Sequence, residues 1–300
     1  MSMSERVSQV IVPVDGSPTA AAAARLASLL ARLLDAPLQL LHVMPLNPAE
    51  LSDIPANRQV DTDRDRALRR EQAATAFALA RKAVDPALAL SPTEVTLEDA
   101  TFIRHPDRAI VKHASQHAGC LLVLGARHLS DMGKFMQGSV SNEVVHRARC
   151  PVTIVHADAS LLEASHIGRV LVPVDGAAPC HKAAALAGDL ARSAEVPVEL
   201  IFCQPGGGPS GADGGEESQS GRVFRLAREA LGEIPAGIEE VLNHDERIPE
   251  AIVARARRHA DDAPMIVMGR RGLSKWRESL LGSVSHRVID RAPCPVTVVV

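Results

Sequence analysis

The sequence predicts an α/β protein built as two tandem domains, each a parallel sheet covered by helices. Short β-branched apolar runs alternate with longer amphipathic stretches along the whole chain, the pattern of strand–helix–strand units. The motifs also come twice and in the same order. Val10-Ile-Val-Pro-Val-Asp-Gly16 returns as Val170-Leu-Val-Pro-Val-Asp-Gly176, and Gly138-Ser-Val-Ser with Cys150-Pro-Val-Thr153 returns as Gly282-Ser-Val-Ser with Cys294-Pro-Val-Thr297. A chain of 300 residues has room for two such units. The apolar pattern lapses near Ala159–His166, which separates a domain over 1–158 from one over 166–300.

In the first half the strand candidates are Val10–Val14, Leu38–Val43, Val95–Ile103, Leu121–Leu124 and Val152–Val155. Ser17-Pro18, a capping residue followed by a first-turn proline, starts a helix over Thr19–Leu34. Asp61–Val84, Asp107–His117 and Val140–Arg147 supply the other helices. The second half repeats the plan with strands Val170–Val174, Val198–Cys203, Glu239–Asn243, Met265–Met268 and Val296–Val300. Its helices are Pro179–Ser193, Glu217–Leu231, Pro249–His259 and Val284–Arg291. Ligands of open parallel sheets sit beyond the carboxyl ends of the strands. Asp15 with Gly125, and Asp175 with Gly269, follow such ends, so each pair is placed to face one crevice.

Composition narrows the function classes. A net charge of -3 gives no electrostatic reason to expect nucleic acid or an anionic membrane as partner. Aromatic content of 2%, with no Tyr, removes the usual base-stacking surfaces. No apolar run approaches the roughly 18 residues of a membrane span, and Met1-Ser-Met-Ser-Glu5 does not read as a signal peptide. The five cysteines, Cys120, Cys150, Cys180, Cys203 and Cys294, are odd in number and lie mostly in apolar contexts. Reduced, buried thiols of a cytoplasmic protein are therefore expected, with the Cys-Pro dipeptides packing at strand starts and given no redox role.

The stretch from Met268 to Ser285 carries the chemistry. It follows the apolar strand Met265-Ile-Val-Met268, opens at Gly269 and Gly272, and breaks again at Gly282-Ser283 before a helix with Val284, Val288 and Ile289 on one face. Strand, glycine loop and helix start together present backbone N–H groups and a positive dipole end to an anion. A nucleotide is expected there. Gly269-x-x-Gly272, nine residues and Gly282-Ser283 together are similar to the ATP-binding loop of universal stress proteins, and Val-Pro-Val-Asp-Gly and Cys-Pro-Val are typical of that family.

The resemblance spans nearly the whole chain and implies a five-stranded Rossmann-like sheet in each domain, ATP across its switch point, and domains paired through their last strands. Carried over by position, Pro173, Val174 and Asp175 would border base and ribose, and Cys203 would meet adenine through its backbone. Met268, Gly269, Arg270, Arg271 and Gly272 would wrap ribose and phosphate, and Gly282, Ser283, Val284 and Ser285 would take the phosphates, with Mg²⁺ the candidate bridging ion. In the first half Asp15, Val43, Gly125, Gly138 and Ser139 match, but the second glycine position holds His128, which is penalised sterically if φ > 0 is needed. The first site is therefore the weaker one.

No nucleophile–base pair stands near the loop, so binding with slow or no hydrolysis is expected, as a sensor acting on an unidentified protein partner. The rivals are an ATPase or nucleotidyl-transfer enzyme, which needs a general base, and an interaction module without ligand. Homodimerisation stays open beside pairing within one chain. Among weaker signals, Gly206–Gly221 formally contains G-x-G-x-x-G but is interrupted by Pro209 and reads as a loop. Gly133-Lys134 lacks the upstream glycine of a Walker loop. His113, His117 and Cys120 have a spacing zinc can use, although a helix C-terminus also favours histidines. The basic runs Arg69-Arg70 and Arg255-Ala-Arg-Arg-His259 read as solvated helix faces.

Overall fold

Strand β1 (Gln9–Pro13) leads into helix α1 (Pro18–Leu33), and their junction shows how the sequence writes the fold. Val10, Ile11 and Val12 are 0% exposed, as a strand covered on both faces requires. Ser17 then caps α1, its hydroxyl accepting from the Ala20 N–H at 3.2 Å, with Pro18 in the first turn. The computed structural model describes residues 6–44, 62–98, 105–126, 140–156, 166–204, 218–270 and 283–300, the side chains of 62–64 excepted.

The first domain continues with β2 (Leu38–Val43), α2 (Thr62–Ala83), β3 (Thr93–Leu97), α3 (Pro106–Ser115), β4 (Cys120–Ala126), α4 (Val140–Arg147) and β5 (Val152–His156). The second repeats it: β6 (Arg169–Val174), α5 (Ala178–Ala194), β7 (Val198–Cys203), α6 (Gln219–Leu231), β8 (Ile238–Asn243), α7 (Ile248–Arg258), β9 (Pro264–Gly269), α8 (Ser283–Arg291) and β10 (Val296–Val299). All strands sit where the apolar runs placed them. The third strand is the largest difference: it starts at Thr93, before the expected Val95, because its pairing follows β2 from Gln39↔Thr93 to Val43↔Leu97. Residues 99–103 of the expected strand lie outside the described residues, as do Gly133-Lys134 and residues 206–217 of the glycine-rich run. The end of that run is a helix start, where the Ser218 hydroxyl caps α6 through the Gly221 N–H at 3.1 Å.

The strands form one sheet in the order β3-β2-β1-β4-β5-β10-β9-β6-β7-β8. Pairing is parallel inside each domain, and β5 meets β10 antiparallel with Thr153 opposite Thr297. Two hydrophobic layers, one on each face, run through both domains. The edge strands β3 and β8 are half-exposed and carry Glu94, Glu239 and Glu240 on positions that discourage further strand addition.

Domain pairing through the last strands is thus satisfied within one chain. On its axis the Thr153 and Thr297 hydroxyls lie 2.7 Å apart, both 0% exposed, and His156 Nε2 donates to the Ile289 carbonyl at 2.7 Å. Removing one hydroxyl leaves the other buried without its partner, whereas removing both leaves an apolar pair of the same shape. Thr153→Val is therefore expected to cost about 1–3 kcal/mol, and the double variant with Thr297→Val less than the sum of the singles. Urea denaturation of the three variants measures this; strict additivity contradicts it.

One expectation is corrected. The basic run of α7 is solvated only in part: Arg257 and Arg258 are exposed, but Arg255 grips Glu199 on β7 at 2.6 and 2.7 Å, and His259 Nε2 donates to the same carboxylate at 2.9 Å. Glu199 is 0% exposed, and this buried acceptor draws the cations inward. Arg69 likewise is only 8% exposed.

Candidate functional site

Within the first domain, β1 and β4 are neighbours whose connections leave in opposite directions, toward β2 on one side and β5 on the other. A crevice opens at such a switch point beyond the strand ends. It holds a cavity of about 280 Å³, lined by Asp15, His42, Val43, Leu124, Gly125 and Ser141 among others. Three of the residues carried over to this domain from the sequence, Asp15, Val43 and Gly125, are therefore gathered on one opening. Gly138 and Ser139 lie outside the described residues.

Each residue has a local reason for its place. Asp15 Oδ1 accepts from the Ser17 N–H at 2.9 Å, closing the turn at Gly16, whose φ of +81° suits glycine. Gly125 is required by close approach: a Cβ there would lie 2.2 Å from the Thr19 carbonyl oxygen, in the first turn of α1. His42 Nδ1 donates to the Val14 carbonyl at 2.8 Å, which fixes the ring in the wall of the cavity. His42 was not singled out from sequence, although a histidine inside the apolar run Leu38–Val43 was a readable signal.

In the second domain the same framework holds different side chains. Pro173 and Val174 end β6 in the core, and Asp175 Oδ1 accepts from the Ala177 N–H at 3.0 Å and from the Cys180 thiol at 2.9 Å. Burial pushes the Cys180 thiol up to about 12, with the Asp175 carboxylate adding to the effect. Phe202, Cys180 and Met268 stand where the first domain has His42, Ala20 and Leu124. Cys203 ends β7 partly exposed, its thiol raised to about 11 by burial and by Asp245. Gly269 ends β9 against α5, where a Cβ would lie 3.0 Å from the Pro179 carbonyl carbon.

Of the phosphate loop, Arg271, Gly272 and Gly282 lie outside the described residues, while Met268, Gly269, Arg270, Ser283, Val284 and Ser285 lie within them. Ser283 opens α8 exposed and Val284 is partly buried beside it. Ser285 is 1% exposed and donates to the Arg270 carbonyl at 2.8 Å, tying the helix to the end of β9. Arg270 donates from its backbone to the Val299 carbonyl at 2.7 Å, and its guanidinium reaches the Ala148 carbonyl of the first domain, also at 2.7 Å. Antiparallel β5–β10 pairing explains that reach, because it brings the C-terminal end of α4 beside the crevice of the other domain. A cation on a helix C-terminus is favoured by the dipole.

The zinc spacing does not assemble. His113 Nε2 is engaged by Gln39 Oε1 at 2.6 Å and the Cys120 thiol donates to the Ala114 carbonyl at 3.3 Å. Burial, then His117 at 4.8 Å between ring centres, lowers the His113 pKa. No group of three or more metal-ligating side chains occurs among the described residues. No helix among them is long and apolar enough to cross a membrane.

Fold and first-domain crevice together define a tandem, doubly wound α/β protein of the kind that binds ligands beyond its strand ends. The model of the universal stress protein family matches residues 7–156 and again 166–300, and the chain belongs to that family. It is 30% identical to a universal stress protein of Mycolicibacterium smegmatis over 97% of this chain and 96% of that one. A universal stress protein of Mycobacterium tuberculosis is 28% identical over 99% of both chains. The crystal structure of a universal stress protein from Archaeoglobus fulgidus superposes with a TM-score of 0.65 at 21% identity, covering 98% of this chain and 96% of that one.

Proposed function

We infer that this is a cytoplasmic adenine-nucleotide-binding protein in which occupancy, by ATP and chiefly in the second domain, biases a conformation or a protein-binding surface. The observation that carries the reading is the open crevice at the first-domain switch point, lined by Asp15, Val43 and Gly125. The second domain repeats that framework, with Gly269 and Gly282-Ser283 in the places of Gly125 and Gly138-Ser139, and has Gly272 where the first has His128, a pattern suited to backbone N–H groups free of side-chain bulk holding a phosphate tail that Mg²⁺ would bridge. Slow or absent hydrolysis fits the aspartates: Oδ1 of Asp15 and of Asp175 is committed to turn N–H groups and stays a poor general base. The Arg270–Ala148 bond supplies a physical link from the second-domain loop to the first domain.

The test is to denature the purified protein and identify what it releases. Adenine nucleotide, ATP foremost, is the expected result. ADP accompanied by turnover supports the enzyme instead, and a protein that releases no nucleotide and shows no thermal shift with ATP contradicts the reading.

A further inference from the structure

A second cavity of about 510 Å³ lies in the first domain, lined by Arg6, His117, Gly119, Arg149 and Cys150 together with the end of α3. Gly119 and Arg6 belong to the amino-terminal ends of β4 and β1, so this cavity is at the opposite end of the sheet from the crevice. Cys150 is partly exposed there, whereas Cys120 behind it is 0% exposed. The two thiols are brought together by strand register. Leu122 pairs with Val152, and the Leu122 N–H donates to the Pro151 carbonyl at 3.0 Å, so Cys120, which opens β4, falls beside Cys150, two residues before β5. Adjacent strands run about 4.8 Å apart, inside the roughly 4.4–6.8 Å between Cα atoms that a disulfide requires. The two thiols act on each other: the hydrogen bond between them lowers the pKa of Cys120 and, together with burial, raises that of Cys150, so the pair loses one proton more readily than two.

The repeat provides an internal control. Ile266 pairs with Val296 as Leu122 does with Val152, which puts Pro264 in the place of Cys120 and Cys294 in the place of Cys150. Cys294 has no second thiol at that position, is 1% exposed, and is pushed up to about 12 by burial. The pairing and the exposure are thus features of the first domain.

We propose that Cys150 is a thiol–disulfide exchange site with Cys120 as its resolving partner, and that the cavity admits an anionic disulfide of low molecular weight. Arg6 and Arg149 supply the positive lining that such a ligand, carrying carboxylates, complements. Cys150 passes its proton across the shared hydrogen bond to the Cys120 sulfur and attacks one sulfur of the ligand; a protein–ligand S–S bond forms, the ligand S–S bond breaks, and a thiolate leaves and takes a proton. Cys120, losing its own proton, attacks the Cys150 sulfur; the Cys120–Cys150 bond forms and the second ligand thiol departs. Two protein thiols and one small disulfide become one protein disulfide and two small thiols.

The full-length protein is incubated with glutathione disulfide, quenched in acid, alkylated and mapped by mass spectrometry. Free thiols are expected to fall from five to three, with the bond joining Cys120 to Cys150. Cys120→Ser should keep a glutathione adduct on Cys150, and Cys150→Ser should leave Cys120 unmodified. Arg149→Gln should slow reaction with glutathione disulfide several-fold more than with the dicationic disulfide cystamine. Five thiols surviving, or linkage through another cysteine, overturns the site, and equal slowing with both reagents overturns the anionic ligand. Because the wild-type map needs no variant, a misfolded substitution does not rescue the proposal.

Discussion

Glu199→Ala destabilises the second domain by about 3–5 kcal/mol, the largest effect expected of any single change outside the crevices. Glu199 is fully buried in β7 between β6 and β8, and its carboxylate accepts both arms of Arg255 and the Nε2 of His259. Truncation leaves the guanidinium, which is itself only 16% exposed, without the acceptor that most raises its pKa and with only the more exposed Glu239 carboxylate at 3.2 Å. The loss comes from a largely buried charge left with one exposed partner, more than from a favourable pair. Hence Glu199→Leu combined with Arg255→Leu is expected to recover much of it. The first domain supports a milder outcome for Glu199→Gln: Gln39 takes the equivalent place, 6% exposed, and meets His113 at 2.6 Å without any carboxylate. Urea unfolding of the single and double variants decides the matter; a double variant no more stable than Glu199→Ala contradicts the argument.

Gly125→Ala is the second large effect, at about 3 kcal/mol from overpacking, with loss of the first-domain cavity. The added Cβ would stand 2.2 Å from the Thr19 carbonyl oxygen and 2.4 Å from its carbon, backbone atoms in the first turn of α1. That turn cannot yield by a rotamer change; the helix start has to move, and Thr19 and Ala20 line the cavity with Gly125. Gly269→Ala meets Pro179 and Cys180 at 3.0–3.1 Å and should cost less. Thermal melting ranks the two, and equal melting temperatures for both variants and wild type would remove close helix approach as the reason for these glycines.

Why these glycines stand at strand ends was only half legible in the sequence. As part of a loop pattern they read as room for phosphate, yet both also let a helix start press against the sheet, a contact between elements far apart in sequence. Strands were the most readable feature, because runs such as Val10–Val14 must be apolar on both faces. Domain pairing was legible only through the family resemblance; the threonines of the repeated Cys-Pro-Val-Thr meet on its axis. Arg255 and His259 misled because helical periodicity reports the face of a residue without the buried Glu199 opposite it. The neighbouring thiols of Cys120 and Cys150 were likewise hidden, since only strand register joins residues that far apart.

Calorimetric titration of the wild-type protein and of Gly282→Val with ATP and Mg²⁺ tests the central claim most directly. Saturable binding by the wild type, mostly abolished when a branched side chain occupies the phosphate approach, is the predicted result. No binding by the wild type, or unchanged affinity in the variant, would contradict it.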